Sequence, residues 1–399
     1  MTAVPNPLRV LSISTLFPNA ARPGFGLFVA RQTQALARRG DVTMLVINPI
    51  AIAPPPFDRF INSPEELALP SSTRDWGVEV QYPRFITIPR FGVRWNPARI
   101  ASALLPLARR RHAEHPFDAV DAQFFYPDGP AAARIARALD LPLSIKARGS
   151  DIHLWGGKTF AREQMLTAAR QADGLLAVSE ALRQDMIALG MPAEKIAVHY
   201  TGLDTELFHP RPRAQARERL SDLVPADGPL IVSAGNLIPL KGQHLVIEAL
   251  GALPDTRLVL AGQGPEDAAL RAQASRLGLA DRIVFAGNLQ PSRLADLLSA
   301  ADVMALPSER EGLANVWVEA LACGTPLVIT DVGGAREVVR QPAAGRIVER
   351  SAQAIAQAIG DILAAPPSQS DVAAEAARFS WSTNAAELAA HFARIAARG

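Results

Sequence analysis

Short β-rich runs alternate with longer helical stretches along this chain, stop, and start afresh after residue 225, and this doubled alternation restricts the fold more than any other feature. Strands separated by helical crossovers build parallel sheets covered by helices on both faces. The first series predicts strands at 9–14, 42–47, 119–123, 143–147 and 175–178. The second predicts them at 230–234, 257–261, 282–286, 302–306 and 326–330. A helix over 28–39 is expected to end at Gly40, with Arg38 and Arg39 in its last turn, where the helix dipole favours cations. Residues 202–225 hold three prolines and little periodicity, which places a linker near 200–225. The length of 399 residues also favours two domains over one core. Two doubly wound α/β domains would turn their strand ends toward a shared crevice, where such folds bind ligands.

Composition excludes several classes. A formal net charge of +2, with 49% hydrophobic and 20% charged residues, describes a globular protein and gives no reason to expect a nucleic-acid partner. The single cysteine, Cys323, cannot close an intramolecular disulfide, and no Cys/His group has zinc-ligand spacing, so no metal is expected and a reducing, cytoplasmic compartment fits. The apolar run 10–17 lacks a basic region before it and a small-residue cleavage site after it, and reads as a first strand rather than a signal peptide. The uncharged stretch 42–57 is broken by Pro49 and Pro54-Pro55-Pro56 and is too short to span a bilayer.

Three loops of the second half carry the chemistry. In Ser233-Ala234-Gly235-Asn236-Leu237-Ile238-Pro239-Leu240-Lys241-Gly242 the chain leaves a strand and is expected to enter a helix near Lys241. Free amides, the positive dipole end and an ammonium together make an anion site, although a solvated lysine at a helix start fits the same residues. The run Ala261-Gly262-Gln263-Gly264-Pro265 lets backbone come close to a ligand or to a neighbouring element. It is no dinucleotide fingerprint: the nearest match in the chain, Gly24-Phe25-Gly26, meets Val29 where a third glycine belongs. In the segment 306–326, Glu311 falls on a loop and Glu319 on a helix of about 315–323 closed by Gly324. A carboxylate accepts two hydrogen bonds side by side, so each glutamate suits a pair of vicinal hydroxyls. Glu319 is set among Val316, Trp317, Val318, Ala320, Leu321 and Ala322, where a carboxylate is expected to be paired or to face a ligand; the alternative is the exposed position of an amphipathic helix.

With these residues in view the chain resembles the retaining glycosyltransferases of family four. The resemblance lies in the E-x7-E pair Glu311 and Glu319 within EGLANVWVEALACGTPLV, and in GNLIPLKG, AGQGP, ADVMALPS and DVGGAREVV. Weaker echoes in PNAARPGFGLFVARQTQALARRG, YPDG, RGSDIH, VSEALRQDMIALG and FSW are similar to the branch that builds cell-envelope polysaccharides. The resemblance implies the GT-B fold, two doubly wound Rossmann-like domains facing each other across a deep cleft. It implies an acceptor-binding domain over 1–205, a nucleotide-sugar domain over 206–380 and a C-terminal helix over 381–399 returning to the first domain. It also implies that Glu319 grips the donor ribose and Glu311 the transferred sugar. Gly235, Asn236 and Gly264 would line the donor site, and the amides of Gly312, Leu313, Ala314, Asn315 and Val316 would face sugar and phosphates. Lys241 would neutralise the diphosphate. Three positions depart from the family pattern: Asn236 stands where many members have Arg, Arg148 where many have His, and Thr201 where an Asn is usual. Arg148 then has three open readings: contact with the donor phosphates, contact with an acidic sugar, or pairing with nearby Asp151.

The expected reaction is transfer of a hexose-type sugar from a nucleotide-diphosphate sugar, with retention and without metal, to a lipid-linked or envelope or exopolysaccharide glycan. The loop 19–26, with Gly24, Phe25 and Gly26, and Asp151 would form the acceptor and phosphate side. Seven arginines and no acidic residue between 84 and 111 suit an anionic membrane surface and a peripheral location at its inner face, or else a solvated face bonded to the chain's own carboxylates. The rival readings are a nucleotide-sugar epimerase of the same fold and a nucleotide-sugar-binding protein without activity.

Overall fold

The computed structural model describes residues 7–88 and 92–397 and divides into two compact units, Met1–Gly202 with Trp381–Gly399, and Leu203–Ser380. The first unit has strands β1 (Leu8–Ile13), β2 (Val42–Ile47), β3 (Ile50–Ile52), β4 (Ser72–Asp75), β5 (Val78–Gln81), β6 (Arg84–Ile86), β7 (Ala119–Ala122), β8 (Leu143–Ala147), β9 (Gly174–Ala177) and β10 (Ile196–Val198). Eight of them form one sheet in the order β10-β9-β8-β7-β1-β2-β5-β4, while β3 and β6 pair as a small parallel sheet of their own. Only β4 runs antiparallel within the large sheet. Helices cover both its faces, so strands such as β9 are buried at every position and read as continuous apolar runs. On one face the helix Leu27–Ala37 packs with Trp381–Ala396 through Val29, Leu36, Leu388 and Phe392. On the other, Asn96–Glu114 and Asp128–Leu139 contribute Ile100, Leu104 and Ile135.

Two expectations shift here. The helix after β1 ends at Ala37, and Arg39 turns its guanidinium to Asp41, 2.6 Å away, instead of completing the last turn. The stretch expected as linker contains the helix Arg213–Arg219, whose Arg217 bonds the Ala300 carbonyl at 3.1 Å and Asp302 at 2.9 Å, tying it into the second unit. These bonds, one to a backbone carbonyl and one to a carboxylate, override the weak apolar periodicity that hides this helix in the sequence.

Beneath the large sheet lies a buried polar row. Ser12, Asp121 and Ser144 are neighbours across β1, β7 and β8, and Ser12 donates to Asp121 at 3.1 Å. His391 reaches Ser144 at 3.1 Å, over Gly174, where a Cβ would sit 2.4 Å from the imidazole Cε1. Lys146, fully buried, donates to Gln32 at 3.1 Å and lies 2.7 Å from His199 Nδ1. Burial, with Arg148 adding like charge, holds the Lys146 ammonium well below the ordinary lysine range.

The second unit has one sheet of β11 (Leu230–Ala234), β12 (Arg257–Ala261), β13 (Ile283–Gly287), β14 (Val303–Leu306), β15 (Leu327–Thr330) and β16 (Gly345–Val348). All its pairings are parallel, in the order β13-β12-β11-β14-β15-β16. That is the doubly wound order 3-2-1-4-5-6, whose direction of progress reverses between β11 and β14. Among the described residues no helix is long and apolar enough to cross a membrane.

Candidate active site

In a doubly wound sheet a ligand settles outside the carboxyl ends of the strands where the order reverses. In the second unit this selects the loops leaving β11 and β14, residues 235–242 and 307–314. The structure joins them through an ion pair between Lys241 Nζ and Glu311 Oε1, and Ser308 Oγ donates to the same carboxylate oxygen at 2.8 Å. The two side chains are 18% and 11% exposed, so the pair is shielded from bulk water without being sealed from it. Lys241 lies on a 3-10 turn, Pro239–Lys241, and the helix Gln243–Leu250 begins only after Gly242. The expected entry into a helix at Lys241 is therefore displaced. The cause is Gly242, at φ 75°, which backs onto Pro307 so closely that a Cβ would lie 2.4 Å from its carbonyl oxygen.

Several contacts set these loops. Glu309 N–H donates to the Leu240 carbonyl at 2.8 Å. Arg350, just past β16, donates from Nε to the Pro307 carbonyl at 3.0 Å and from Nη2 to the Pro239 carbonyl at 3.1 Å, stapling one loop to the other. Gly334 N–H donates to the Gly312 carbonyl at 2.7 Å, and Gly333 approaches the Glu311 and Gly312 carbonyls closely enough to exclude any side chain. Arg350 and Ser308 were not legible as site residues, because an arginine beyond the last strand carries no local signal. Arg350→Gln is expected to release both loops, since its two bonds hold roughly 1.4 kcal/mol of local stability, a factor of about ten. Hydrogen exchange at the amides of 240 and 309 should then be about tenfold faster, with the rest of the sheet unchanged.

The helix Asn315–Ala322 is anchored by Trp317, which is fully buried, together with buried Val318, Ala320 and Leu321. Its accessible face carries Asn315, exposed, with Val316 and Glu319 half-buried. Ala314 at the N-cap offers no side-chain acceptor to the first-turn amides. Gly312 and Leu313, half-buried, lead from Glu311 into this helix. The alternative placement of Glu319 at a fully exposed position is thus not what the structure has. Asn236 is exposed, and its carbonyl accepts from Gln243 Nε2 at 3.1 Å. Gly235, at φ 151°, and Gly264 belong to a tight pair of loops: a Cβ at Gly264 would lie 2.2 Å from the Leu237 carbonyl oxygen, and Leu237 N–H donates to the Gln263 carbonyl at 3.0 Å. Of the two uses open to the glycines of Ala261–Pro265, the one visible here is close approach to a neighbouring element.

The remaining candidates sit at the corresponding strand ends of the first unit. Arg148 follows β8. Its Nε donates to the Gln123 carbonyl at 3.3 Å, Nη2 bonds the Gln123 side chain, and the guanidinium lies 4.9 Å from the Phe28 ring centroid. Burial pulls its pKa down to about 10. The side chain does not pair with the Asp151 carboxylate by hydrogen bond; only its backbone N–H does, at 3.0 Å. Asp151, fully buried, spends its oxygens on backbone N–H groups of Phe125, Arg148, Gly149 and Ile152. Gly26 holds φ 74° at the start of its helix, where a Cβ would lie 2.3 Å from the Leu16 carbonyl oxygen, while Gly24 borders open space. Phe25 is 44% exposed and edges a cavity of about 370 Å³ with Asn19, Arg22, Asn48, Asn62 and Glu66. Among the described residues no three His, Cys, Asp or Glu side chains gather as a metal-binding group.

Two family models match the chain, Glycosyltransferase Family 4 over residues 24–207 and Glycosyl transferases group 1 over residues 215–379. The TuaC glycosyltransferase of Bacillus subtilis, named for teichuronic acid biosynthesis, is 29% identical over 88% of this chain and 88% of its own length. A GDP-mannose-dependent alpha-(1-6)-phosphatidylinositol monomannoside mannosyltransferase of Mycolicibacterium smegmatis is 35% identical over 53% of this chain, which spans 58% of that relative. Among solved structures, HepE of Anabaena in complex with UDP superposes with a TM-score of 0.74 at 22% identity, covering 97% of this chain and 100% of its own.

Proposed function

Because the chain belongs to the family-four, group 1 glycosyltransferases and has their GT-B fold, we propose that it moves a hexose-type sugar, with retention and without a metal ion, from a nucleotide-diphosphate sugar to a cell-envelope or exopolysaccharide glycan or its lipid-linked precursor. The observation that carries this reading is the Lys241–Glu311 pair at the reversal point between β11 and β14. Supporting it, HepE of the same fold has been solved in complex with UDP and with UDP-glucose, and relatives are named for GDP-mannose-dependent and D-inositol 3-phosphate glycosyl transfer.

Glycosyl transfer breaks an anomeric C–O bond through a cation-like transition state while negative charge collects on the departing diphosphate. An ammonium has three N–H donors, and Glu311 takes one from Lys241, leaving two for phosphate oxygens. Glu311 orients Lys241 and presents its second oxygen to a sugar hydroxyl. Glu319 accepts from the ribose hydroxyls, and the amides of residues 312–316 with the uncapped start of the helix Asn315–Ala322 face sugar and phosphate. In same-face attack the leaving phosphate takes the acceptor proton, so no protein nucleophile is needed. Arg148 contacts the donor phosphates or an acidic sugar, and the cavity edged by Phe25 and Asn19 serves the acceptor.

The test is a thermal-shift screen over UDP-, GDP- and ADP-sugars, followed by incubation with and without acceptor. A true donor at a hundredfold excess over its Kd stabilises the fold by about 2.7 kcal/mol. No shift with any activated sugar defeats the reading, conversion of the donor without acceptor indicates an epimerase, and activity lost in EDTA and restored by Mn²⁺ removes metal independence.

A further inference from the structure

We propose that an apolar groove of the first unit, walled by β6 and the start of the helix Asn96–Glu114, docks the protein on an anionic lipid bilayer. Exposed apolar bulk lines it: of the nine large hydrophobic residues exposed among the described residues, three, Ile86, Ile88 and Trp95, wall this groove. The small sheet fixes the end of β6 that leads to it, with Ile52 of β3 opposite Ile86 and Thr87 N–H donating to the Ile52 carbonyl at 2.9 Å.

In β6 the alternation is inverted from what water favours on one position: Phe85 points inward at 5% exposure, and Ile86, pointing outward, is 55% exposed. Ile86, Ile88 and Trp95 line a groove of about 860 Å³ with Arg84 and Arg99 at its edges. Trp95 is half exposed, with the guanidinium carbons of Arg94 and Arg99 at 5.2 and 5.9 Å from its ring centroid. Further along the helix the same face carries Ser102, Pro106 and Arg109, all exposed.

Charge decides the occupant. The sequence has no acidic residue from Arg84 to Arg111. Some of these arginines are spent on the fold, which settles part of the choice the sequence left open. Arg84 donates to the Leu67 and Leu69 carbonyls at 2.9 and 2.8 Å, Arg111 pairs with Glu79, and Arg110 lies 3.9 Å from Glu114. Arg90 lies outside the described residues. Arg94, Arg99 and Arg109 make no ion pair among the described residues; Arg94 and Arg109 are exposed and Arg99 is partly exposed at the groove, so their charge is available to phosphate oxygens. A second copy meeting this surface face to face would set arginine against arginine. An anionic bilayer offers phosphates to the guanidinium groups and an interface suited to tryptophan and isoleucine, the combination seen at membrane-facing surfaces.

The experiment is flotation of the full chain with phosphatidylglycerol–phosphatidylcholine vesicles and with phosphatidylcholine alone, at low and high salt and without nucleotide sugar. Wild type should float with the anionic vesicles only and detach as salt rises. Arg99→Gln should weaken binding roughly fivefold, the loss of about 1 kcal/mol per arginine near an anionic surface. Trp95→Ala with Ile88→Ser should weaken it by about tenfold or more. Ile86→Ser, on the outer face of β6, provides a further test should either variant lower the thermal midpoint. Failure of wild type to float at low salt, or undiminished flotation of all three variants, overturns the proposal. So does a concentration-dependent dimer that Trp95→Ala abolishes, which would make the surface a contact between copies. Because no donor is present, the transferase reading and this one fail separately.

Discussion

Lys241→Ala is expected to lower kcat/KM for the nucleotide sugar by about 10²–10³-fold, the effect of removing one preorganised donor from a developing anion, roughly 3–4 kcal/mol. The size follows from the setting of the ammonium. It sits on a turn that Gly242 presses against Pro307, is 18% exposed, and is fixed by Glu311 before any ligand arrives, so little reorganisation is needed when charge moves onto the diphosphate. Glu311→Gln keeps the side-chain volume but withdraws the charge that orients Lys241, and should cost a similar factor. The double variant should then lose much less than the product of the two, because the pair acts as one unit. Steady-state kinetics on the three variants, with thermal midpoints as the folding control, measure this directly. Multiplicative losses would mean that the two side chains act on separate events. Glu319→Ala provides the contrast: it should raise the donor Kd and leave kcat closer to wild type, since a ribose grip is made equally in ground and transition states.

The parts of this molecule that were legible in its sequence are those with a local cause. β2, β8, β11 and β12 lie at the residues expected, because each is a short apolar-rich run bounded by glycine, proline or charged residues, a signal that survives the buried Ser144 and Lys146 of β8. The placement of Glu311 on a loop and of Glu319 on a helix was legible too, because Gly312 and Gly324 mark the ends of those segments. What escaped has its cause elsewhere in the chain. β4 reads Ser-Thr-Arg-Asp with no buried position and exists because Val78 and Val80 of β5 lie beside it. β3 and β6 are three residues each, and only their mutual pairing makes them strands. Arg350 acts on carbonyls 43 and 111 residues away. The sequence also grouped Asp151 with the acceptor loop, where a polar residue after a strand invites a functional reading, and gave no sign that four backbone amides converge on it.

That convergence makes Asp151→Ala a stability variant with a large expected effect. The carboxylate accepts from Phe125 N–H at 2.8 Å, Arg148 N–H at 3.0 Å, Gly149 N–H at 2.8 Å and Ile152 N–H at 3.1 Å, joining the loop after β7 to the turn after β8. Burial pushes its pKa upward, and the four amides pull the other way. Truncation would leave several buried amides without an acceptor at about 1–3 kcal/mol each, so with partial hydration a loss of roughly 3–5 kcal/mol is expected. That is a large part of the ~5–15 kcal/mol that typically holds a domain folded. Urea unfolding should show a lower midpoint for the transition of the first unit, with Asp151→Asn in between because an amide oxygen can replace only part of the acceptor capacity. The nucleotide-sugar thermal shift, which reports on the second unit, should persist at temperatures where the first remains folded. If instead Asp151→Ala unfolds like wild type and only the acceptor-dependent rate disappears, the carboxylate belongs to the substrate and the four amide bonds contribute little to the fold.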